Sequence, residues 1–453
     1  MNELLVEISG ILWNNLLYLL LGGGLFFAVF SRFLPFRYLF HGLSLLFGKW
    51  SEREAPGEVS HFRALCSALS GTVGMGNVAG VAVAITQGGP GALFWMWVCA
   101  VLGMATKFYT CSLAVMYRGK DEDGVEQGGP MYFITHGLGE RWRPMAVFFA
   151  VCGMFGCLPL LQSNQLTQIV RSMFFEPNGW FVENQSITQG NALFGLLLAI
   201  MVGFVVIGGI KRIGAVAARL VPVMVVLYGG SALLIIFHHL DQLGWAFSLI
   251  FTDAFTGQAV AGGAIGVVIV TGVRRAAFSN EAGMGTEAMA HGAAKTKEPI
   301  REGLVAMWGP VIDTLLMCSL TGLVLLVTGV WQSGEGDGVL LTTAAFEQAL
   351  PGLGSYLLLA GVICLSFSSM LGFSYYVVKC GCFLFGQRAR IPVLGFYLFA
   401  IIISSVATLS EILNFLDIAF GLMAVPTILS SILLAPKVNR AAKSYFKKLS
   451  DSE

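Results

Sequence analysis

Eleven apolar runs, each bounded by charges or turn residues, divide the chain at about residues 11–31, 66–86, 92–116, 145–170, 192–209, 217–238, 260–281, 304–330, 354–384, 393–409 and 415–435. Each approaches the ~20 residues that a helix needs to cross the hydrocarbon core of a bilayer. The runs are continuous rather than alternating, and too long for barrel strands, so the pattern predicts helices. The longest polar connections, 49–63 and 117–143, leave no room for a second, soluble domain. The stretch 331–352, with Gly334, Gly336 and Gly338, reads as a turn-rich loop.

Basic residues sharpen this pattern, because Lys and Arg are retained on the cytoplasmic side of short loops. With the N-terminus outside, the inner connections collect Arg32, Arg37, Lys49, Arg53 and Arg63; Arg118, Lys120, Arg141 and Arg143; Lys211, Arg212 and Arg219; Arg274, Arg275, Lys295, Lys297 and Arg301; Lys379, Arg388 and Arg390; and Lys437, Arg440, Lys443, Lys447 and Lys448. Of the 27 basic residues only Lys107 and Arg171 fall elsewhere. An odd number of spans ending in a cytoplasmic C-terminus follows, whereas ten or twelve would scramble the sorting. The opening Met1-Asn2-Glu3 and Glu7 lack the basic stretch and cleavage site of a removable signal, so the first run is expected to be retained.

Composition agrees. Hydrophobic residues make up 56% of 453 and charged residues 12%, with a mean hydropathy of +0.76, far beyond the needs of a water-soluble core. A net charge of +1 offers no basic surface for nucleic acid. The nine cysteines lie almost entirely within apolar runs, without the paired spacing of a zinc site, and read as small hydrophobes. The six histidines sit near segment ends, which argues against a proton-relay histidine in mid-span.

The most informative stretch is Ser70-Gly71-Thr72-Val73-Gly74-Met75-Gly76-Asn77, inside an otherwise apolar run. Each glycine weakens a helix by ~1 kcal/mol relative to Ala, which favours a local break. In lipid such a break survives only where it is buried or lines a cavity, and its free N–H and C=O groups can hold a carboxylate and a cation together. Close packing of small residues between helices is the competing reading. The glycines are not a dinucleotide fingerprint, since their flanks are membrane runs. A second weak point lies where Gly262, Gly263, Gly266 and Gly272 precede Arg274-Arg275 and Ser279-Asn280-Glu281-Ala282-Gly283. Two interrupted helices five spans apart, entering from opposite sides, point to an inverted-repeat transporter with its substrate at mid-membrane. In the ninth run, Ser366, Ser368 and Ser369 offer hydroxyls suited to a hard cation, or simply bond back to their own helix. Lys107, Asp313, Asp417 and Glu281 are ionisable groups in or near spans, for which the sequence names no partners.

These motifs, together with Gly88-Gly89-Pro90-Gly91-Ala92, Gly128-Gly129-Pro130-Met131-Tyr132, Ser279-Asn280-Glu281-Ala282-Gly283-Met284-Gly285, Gly309-Pro310-Val311-Ile312-Asp313-Thr314 and the Ser369-to-Tyr376 stretch, resemble the alanine/glycine:cation symporter family from about residue 60 to 435. The resemblance implies an all-α membrane protein of LeuT type. It would have about eleven transmembrane helices, one N-terminal helix plus a 5+5 inverted repeat with two broken helices. The segments would then be 1–60, an N-terminal helix and cytoplasmic linker; 61–240 and 241–436, the two repeats; and 437–453, a cytoplasmic tail.

The same resemblance implies sodium as the co-transported ion and a small neutral amino acid, alanine or glycine, as the substrate. By motif, sodium would meet the backbone carbonyls of Ser70, Val73 and Leu365 and the hydroxyls of Ser368 and Ser369. The substrate would meet Thr72, the N–H groups of Gly74, Met75 and Gly76, and Asn77, with Gln162 and Asn164 as a polar pair and Thr271 and Gly272 supplying the second break. Phe373 stands where the family usually has Trp, and Met75 where it often has Thr, so pocket size is left open. Ser369 replaces the common Thr and keeps the hydroxyl. A proton-coupled or uncoupled carrier is the near alternative. A channel lacks a continuous polar pore here, and a membrane enzyme lacks a nucleophile beside a base or a His-Glu-x-x-His motif.

Overall fold

The computed structural model describes residues 2–48, 55–122, 124–181, 184–255, 264–333 and 337–451. Gly262, Gly263, Gly334, Gly336, Lys49 and Arg53 lie outside them. The main helices are α1 (Asn2–Phe30), α2 (His61–Thr72), α3 (Val81–Gly88), α4 (Gly91–Met116), α5 (Arg143–Gly156), α6 (Leu160–Val170), α7 (Asn184–Val206), α8 (Gly209–His238) and α9 (Leu240–Phe255). They continue with α10 (Ala264–Asn280), α11 (Thr286–His291), α12 (Pro299–Thr328), α13 (Val339–Ala349), α14 (Gly354–Phe385), α15 (Arg390–Val406) and α16 (Leu409–Ser450). Among the described residues, nine helices are long and apolar enough to span a membrane, and α2 with the segment Gly76–Gly88, bent by 52°, makes a tenth. Of the run expected at 260–281, residues 260–263 lie outside the described residues and the rest holds α10, which ends at a break and is followed by α11. Side chains such as Val226, Phe204, Ile391 and Phe237 are more than half exposed on the outside of the bundle. Lipid in place of water removes the cost of that arrangement.

Three expectations are corrected, and one element is added. The turn-rich loop at 331–352 carries an eleven-residue helix, α13, which begins just after Gly338. The tail from 437 is no separate piece: α16 runs unbroken to Ser450 through Pro426 and Pro436. A two-stranded antiparallel hairpin, β1 (Gly119–Lys120) and β2 (Glu126–Gln127), is inserted in the long connection after α4. Arg274 and Arg275 do not belong to an inner connection; they lie within α10, where both pair with Asp417 of α16.

That ion-pair cluster explains how the N-terminal helix is seated. Arg275 Nη2 lies 2.7 Å from Asp417 Oδ2, and Arg274 contacts both Asp417 and Ser9 of α1. Trp13 Nε1 donates to the Asp417 carbonyl at 3.0 Å and lies under the Arg274 guanidinium. A carboxylate 1% exposed is tolerable in such surroundings only when paired in this way.

Candidate functional site

The first break forms where the small-residue motif predicts it. α2 stops at Thr72, Val73 adopts an extended backbone, and the chain resumes as a π-turn over Gly76–Gly80 before α3. Wide turns of this kind concentrate at functional sites because they free backbone groups from the regular ladder. Part of the gap is closed from within: Asn77 Oδ1 accepts the Gly74 N–H at 2.8 Å. Asn77 therefore acts as the clasp of the break and takes one of the N–H groups expected to face a carboxylate.

Helix α14 lies against this break. Ser369 Oγ sits so close to Gly74 that any β-carbon there would overlap it, and a β-carbon on Gly372 would stand 2.7 Å from Ser70 Oγ. Both glycines are needed for that approach. Phe373 and Tyr376 pack over Gly71. The structure thus brings Ser70, Val73, Gly74, Ser368, Ser369 and Phe373 into one region, with Leu365 buried on the same helix. The hydroxyls of Ser368, Ser369, Ser366 and Thr72 are buried and, among the described residues, have no hydrogen-bond partner. Serines that merely bonded back to their own helix would not be left unpaired, so the back-bonding reading fails at these positions, although Ser374 does satisfy it, donating to Leu371. Unpaired buried hydroxyls cost ~1–3 kcal/mol each, a cost that a bound cation or substrate offsets.

The second break is not at Thr271 and Gly272. Both lie within α10. A β-carbon on Gly272 would stand 2.5 Å from the Ala92 carbonyl oxygen and 2.8 Å from Trp95 Cβ, while one on Gly88 would stand 3.0 Å from Thr271 Cβ. These residues serve close helix packing, the competing reading that small residues always carry. The chain actually breaks between Asn280 and Thr286, where Glu281, Gly283 and Gly285 take φ of 57°, 86° and 87°. Asn280 Oδ1 accepts the Ala282 N–H at 3.0 Å, and Thr286 donates to Glu281.

Asp313 joins the two breaks, and sequence reasoning gave it no partner. Its Oδ1 accepts from Asn77 Nδ2 at 2.6 Å, and its Oδ2 from Ser279 Oγ and Thr314 Oγ1, both at 2.8 Å. Thr314 in turn accepts from Asn280 at 3.1 Å. A π-turn over Val311–Cys318, following Pro310, presents the carboxylate at this depth. Lys107, 1% exposed and therefore not reaching toward a surface, interacts electrostatically with Asp313, Glu281 and Glu287.

The polar pair on α6 separates. Asn164 is spent on helix packing, donating to the carbonyls of Ser404 and Ala407 at 3.1 and 2.8 Å and accepting from Gln165. Gln162 keeps a buried, unpaired Oε1.

At one end of the bundle the two broken helices are tied together. Glu302 bridges His61, at the start of α2, and His291, at the end of α11, with a 2.6 Å contact to His291 Nδ1. Arg118 adds hydrogen bonds to the carbonyls of Gly292 and Thr296 at 2.7 and 3.1 Å. Two of the histidines placed at segment ends are thus deeply buried, a fact no local pattern could show because Glu302 is 241 residues from His61.

Two helices broken at the bundle centre, bridged by one carboxylate and faced by a serine-bearing helix, define a secondary transporter of the LeuT type. The backbone superposes on MhsT in complex with L-phenylalanine with a TM-score of 0.58, covering 85% of this chain and 98% of that one at 14% identity. The chain belongs to the sodium:alanine symporter family, which it matches over residues 1–453. It is 37% identical to the sodium/alanine symporter AgcS of Methanococcus maripaludis, over 98% of this chain and 97% of that one. It is 33% identical to the probable sodium/glutamine symporter GlnT of Bacillus subtilis, over 99% and 92%. The protein is a multi-pass membrane transporter and not an enzyme.

Proposed function

We propose that the protein imports a small neutral amino acid, alanine or glycine, across the cell membrane by symport with sodium, with its N-terminus outside and its C-terminus cytoplasmic. Sodium is held by the carbonyls of Ser70, Val73 and Leu365 and the hydroxyls of Ser368 and Ser369. The amino acid lies at the first break, its carboxylate near Met75 and Gly76, with Thr72, Gln162 and Phe373 around it. The observation that carries this reading is the pair of buried, unpartnered hydroxyls of Ser368 and Ser369 set against the opened backbone at Gly74. A hard monovalent cation asks for several neutral oxygens, and this is where they are. The carbonyl set joins α2 to α14, so sodium stabilises the joint that the substrate completes. Coupling of this kind is reciprocal and typically worth about 1–3 kcal/mol. The names borne by AgcS and GlnT support sodium coupling and leave side-chain size to the pocket, where Phe373 and Met75 set the volume. Uptake of labelled alanine into proteoliposomes tests the reading. It is expected to follow an inward sodium gradient and to be competed by glycine; uptake driven by a pH gradient and indifferent to sodium overturns it.

A further inference from the structure

Beside the β1–β2 hairpin the bundle holds a partly open cavity of about 240 Å³. It lies between the linker before α2, the β1–β2 hairpin, the start of α8, the last turns of α14 and the start of α15. Ser374 and Tyr375 line it, adjacent to Phe373 and Tyr376, the two rings that cover Gly71. The same stretch of α14 therefore lines this cavity and covers the proposed central site.

Five charged residues line it: Glu58, Asp121, Lys211, Lys379 and Arg390. Lys211 and Arg390 are exposed at the rim. Asp121 is committed to the hairpin, accepting from Val125 N at 2.8 Å and Gln127 Nε2 at 2.9 Å. Glu58 and Lys379 are different. Lys379 is 4% exposed, and its ammonium donates to Tyr375 Oη at 2.9 Å and to the Met289 carbonyl at 3.3 Å, two of its three N–H bonds. Glu58 is half-buried and feels both Lys379 and Lys211, yet no ion pair within 4.0 Å joins it to either among the described residues. Burial pushes its carboxyl up, against the pull of those lysines. One carboxylate and one ammonium thus line the same partly open space without closing on each other. The space has room for a small amino acid and several waters, each water taking ~30 Å³.

We propose that this cavity is a release site for the zwitterion, which binds there through its carboxylate to Lys379 and its ammonium to Glu58 after leaving the central break. The inference rests on the transport reading above and adds a second station to it. The opposite charges complement both ends of any α-amino acid and select against a neutral or singly charged solute of the same size. Held there, the amino acid is kept from falling back while the serine-lined joint empties of sodium. The site is specific for the face from which the cavity opens, so its loss alters affinity on one side of the membrane only.

The test uses the full-length protein in proteoliposomes of defined sidedness, with alanine half-saturation measured separately from each face. Lys379→Met and Glu58→Gln are each expected to raise the half-saturation on the inner face about fivefold or more. Outer half-saturation and sodium-dependent equilibrium binding of labelled alanine stay within twofold of wild type, and Lys379→Arg recovers most of the inner affinity. Should Lys379→Met fail to fold, Glu58→Gln at the half-buried linker decides alone. Inner values unchanged in the variants, or inner and outer values moving together, overturn the release site while a sodium-driven wild type leaves the transport reading standing. A wild type that takes up no alanine under a sodium gradient overturns both.

Discussion

The two breaks of the bundle are built from opposite materials. At the first, between Thr72 and Gly76, the hydroxyls of Thr72, Ser368 and Ser369 have no partner among the described residues. At the second, between Asn280 and Thr286, polar groups are largely spent inside the protein: Asn280 on Ala282, Glu281 on Thr286, Ser279 on Asp313. Both interruptions expose backbone; among the described residues the first is faced by three unpartnered neutral hydroxyls, whereas the second leaves over Glu281 Oε1, a carboxylate oxygen. The lesson is that a broken helix is a binding site where its oxygens are unmatched and a joint where they are matched. Asp313, which touches Asn77 of the first and Ser279 of the second, makes the two respond together.

Replacing both serines opposite the first break, Ser368→Ala with Ser369→Ala, removes two ligands at ~1.5 kcal/mol each and is expected to raise the sodium half-saturation of uptake about 100-fold. Sodium titration of alanine uptake checks this, and a shift below threefold would contradict the contrast drawn here. Asp313→Asn keeps the shape but weakens the acceptor of three hydrogen bonds; about tenfold slower uptake is expected, together with weaker binding of both sodium and alanine. A change confined to one ligand would mean that the breaks are not coupled through it. Thr286→Val removes the hydroxyl that holds Glu281 at positive φ. Thermal unfolding in detergent is expected to show a loss of about 1–3 kcal/mol, with sodium affinity within twofold of wild type. Thr271→Val is close in shape at a packing position within α10 and is expected to leave uptake within twofold, whereas a residue at a true break would respond far more strongly.

The smallest effect lies away from both breaks, at the entry to α14. Glu347 accepts from the N–H groups of Gly352 and Ser355 at 2.6 and 3.1 Å and from the Ser355 hydroxyl at 2.7 Å, and these bonds hold its carboxyl below the usual range. A depressed folded-state pKa contributes stability that is present at neutral pH and fades as pH falls through the ordinary glutamate value of ~4.3 and below. On a group this near the surface the contribution is about a few tenths of a kcal/mol, the size of a surface interaction. Glu347→Gln is therefore expected to lower the unfolding temperature slightly at pH 7, and to converge on wild type only once the pH is low enough to protonate Glu347 in the folded protein, below the ordinary glutamate range.

Most of the helical plan was legible because a bilayer allows so few solutions: continuous apolar runs of spanning length become helices. The first break was legible for the same reason, as Gly71, Gly74 and Gly76 beside Ser70 and Thr72 have no purpose in a regular lipid-facing helix. Gly266 and Gly272 carried an equally strong local signal and meant something else, since Gly272 makes room for Ala92 and Trp95 of α4. Composition states that a backbone approaches closely; it does not state whether a helix or a ligand does so. Arg274 and Arg275 misled in the same way, because charge near a span end reads as a loop until Asp417 appears beside it.

What the linear chain determined by itself was the solvent, the rough limits of most of the spans, and the place of the first interruption, all properties of contiguous residues. Tertiary structure alone decided which polar groups meet: Asn77 with Asp313, His61 and His291 with Glu302, Ser369 with Gly74. The reason is one of range. Hydrophobic burial in lipid acts on each segment separately and can be summed along the sequence, whereas a hydrogen bond or ion pair needs two atoms within about 3 Å, and those of Asn77 with Asp313 and of His61 with Glu302 come from positions 236 and 241 residues apart.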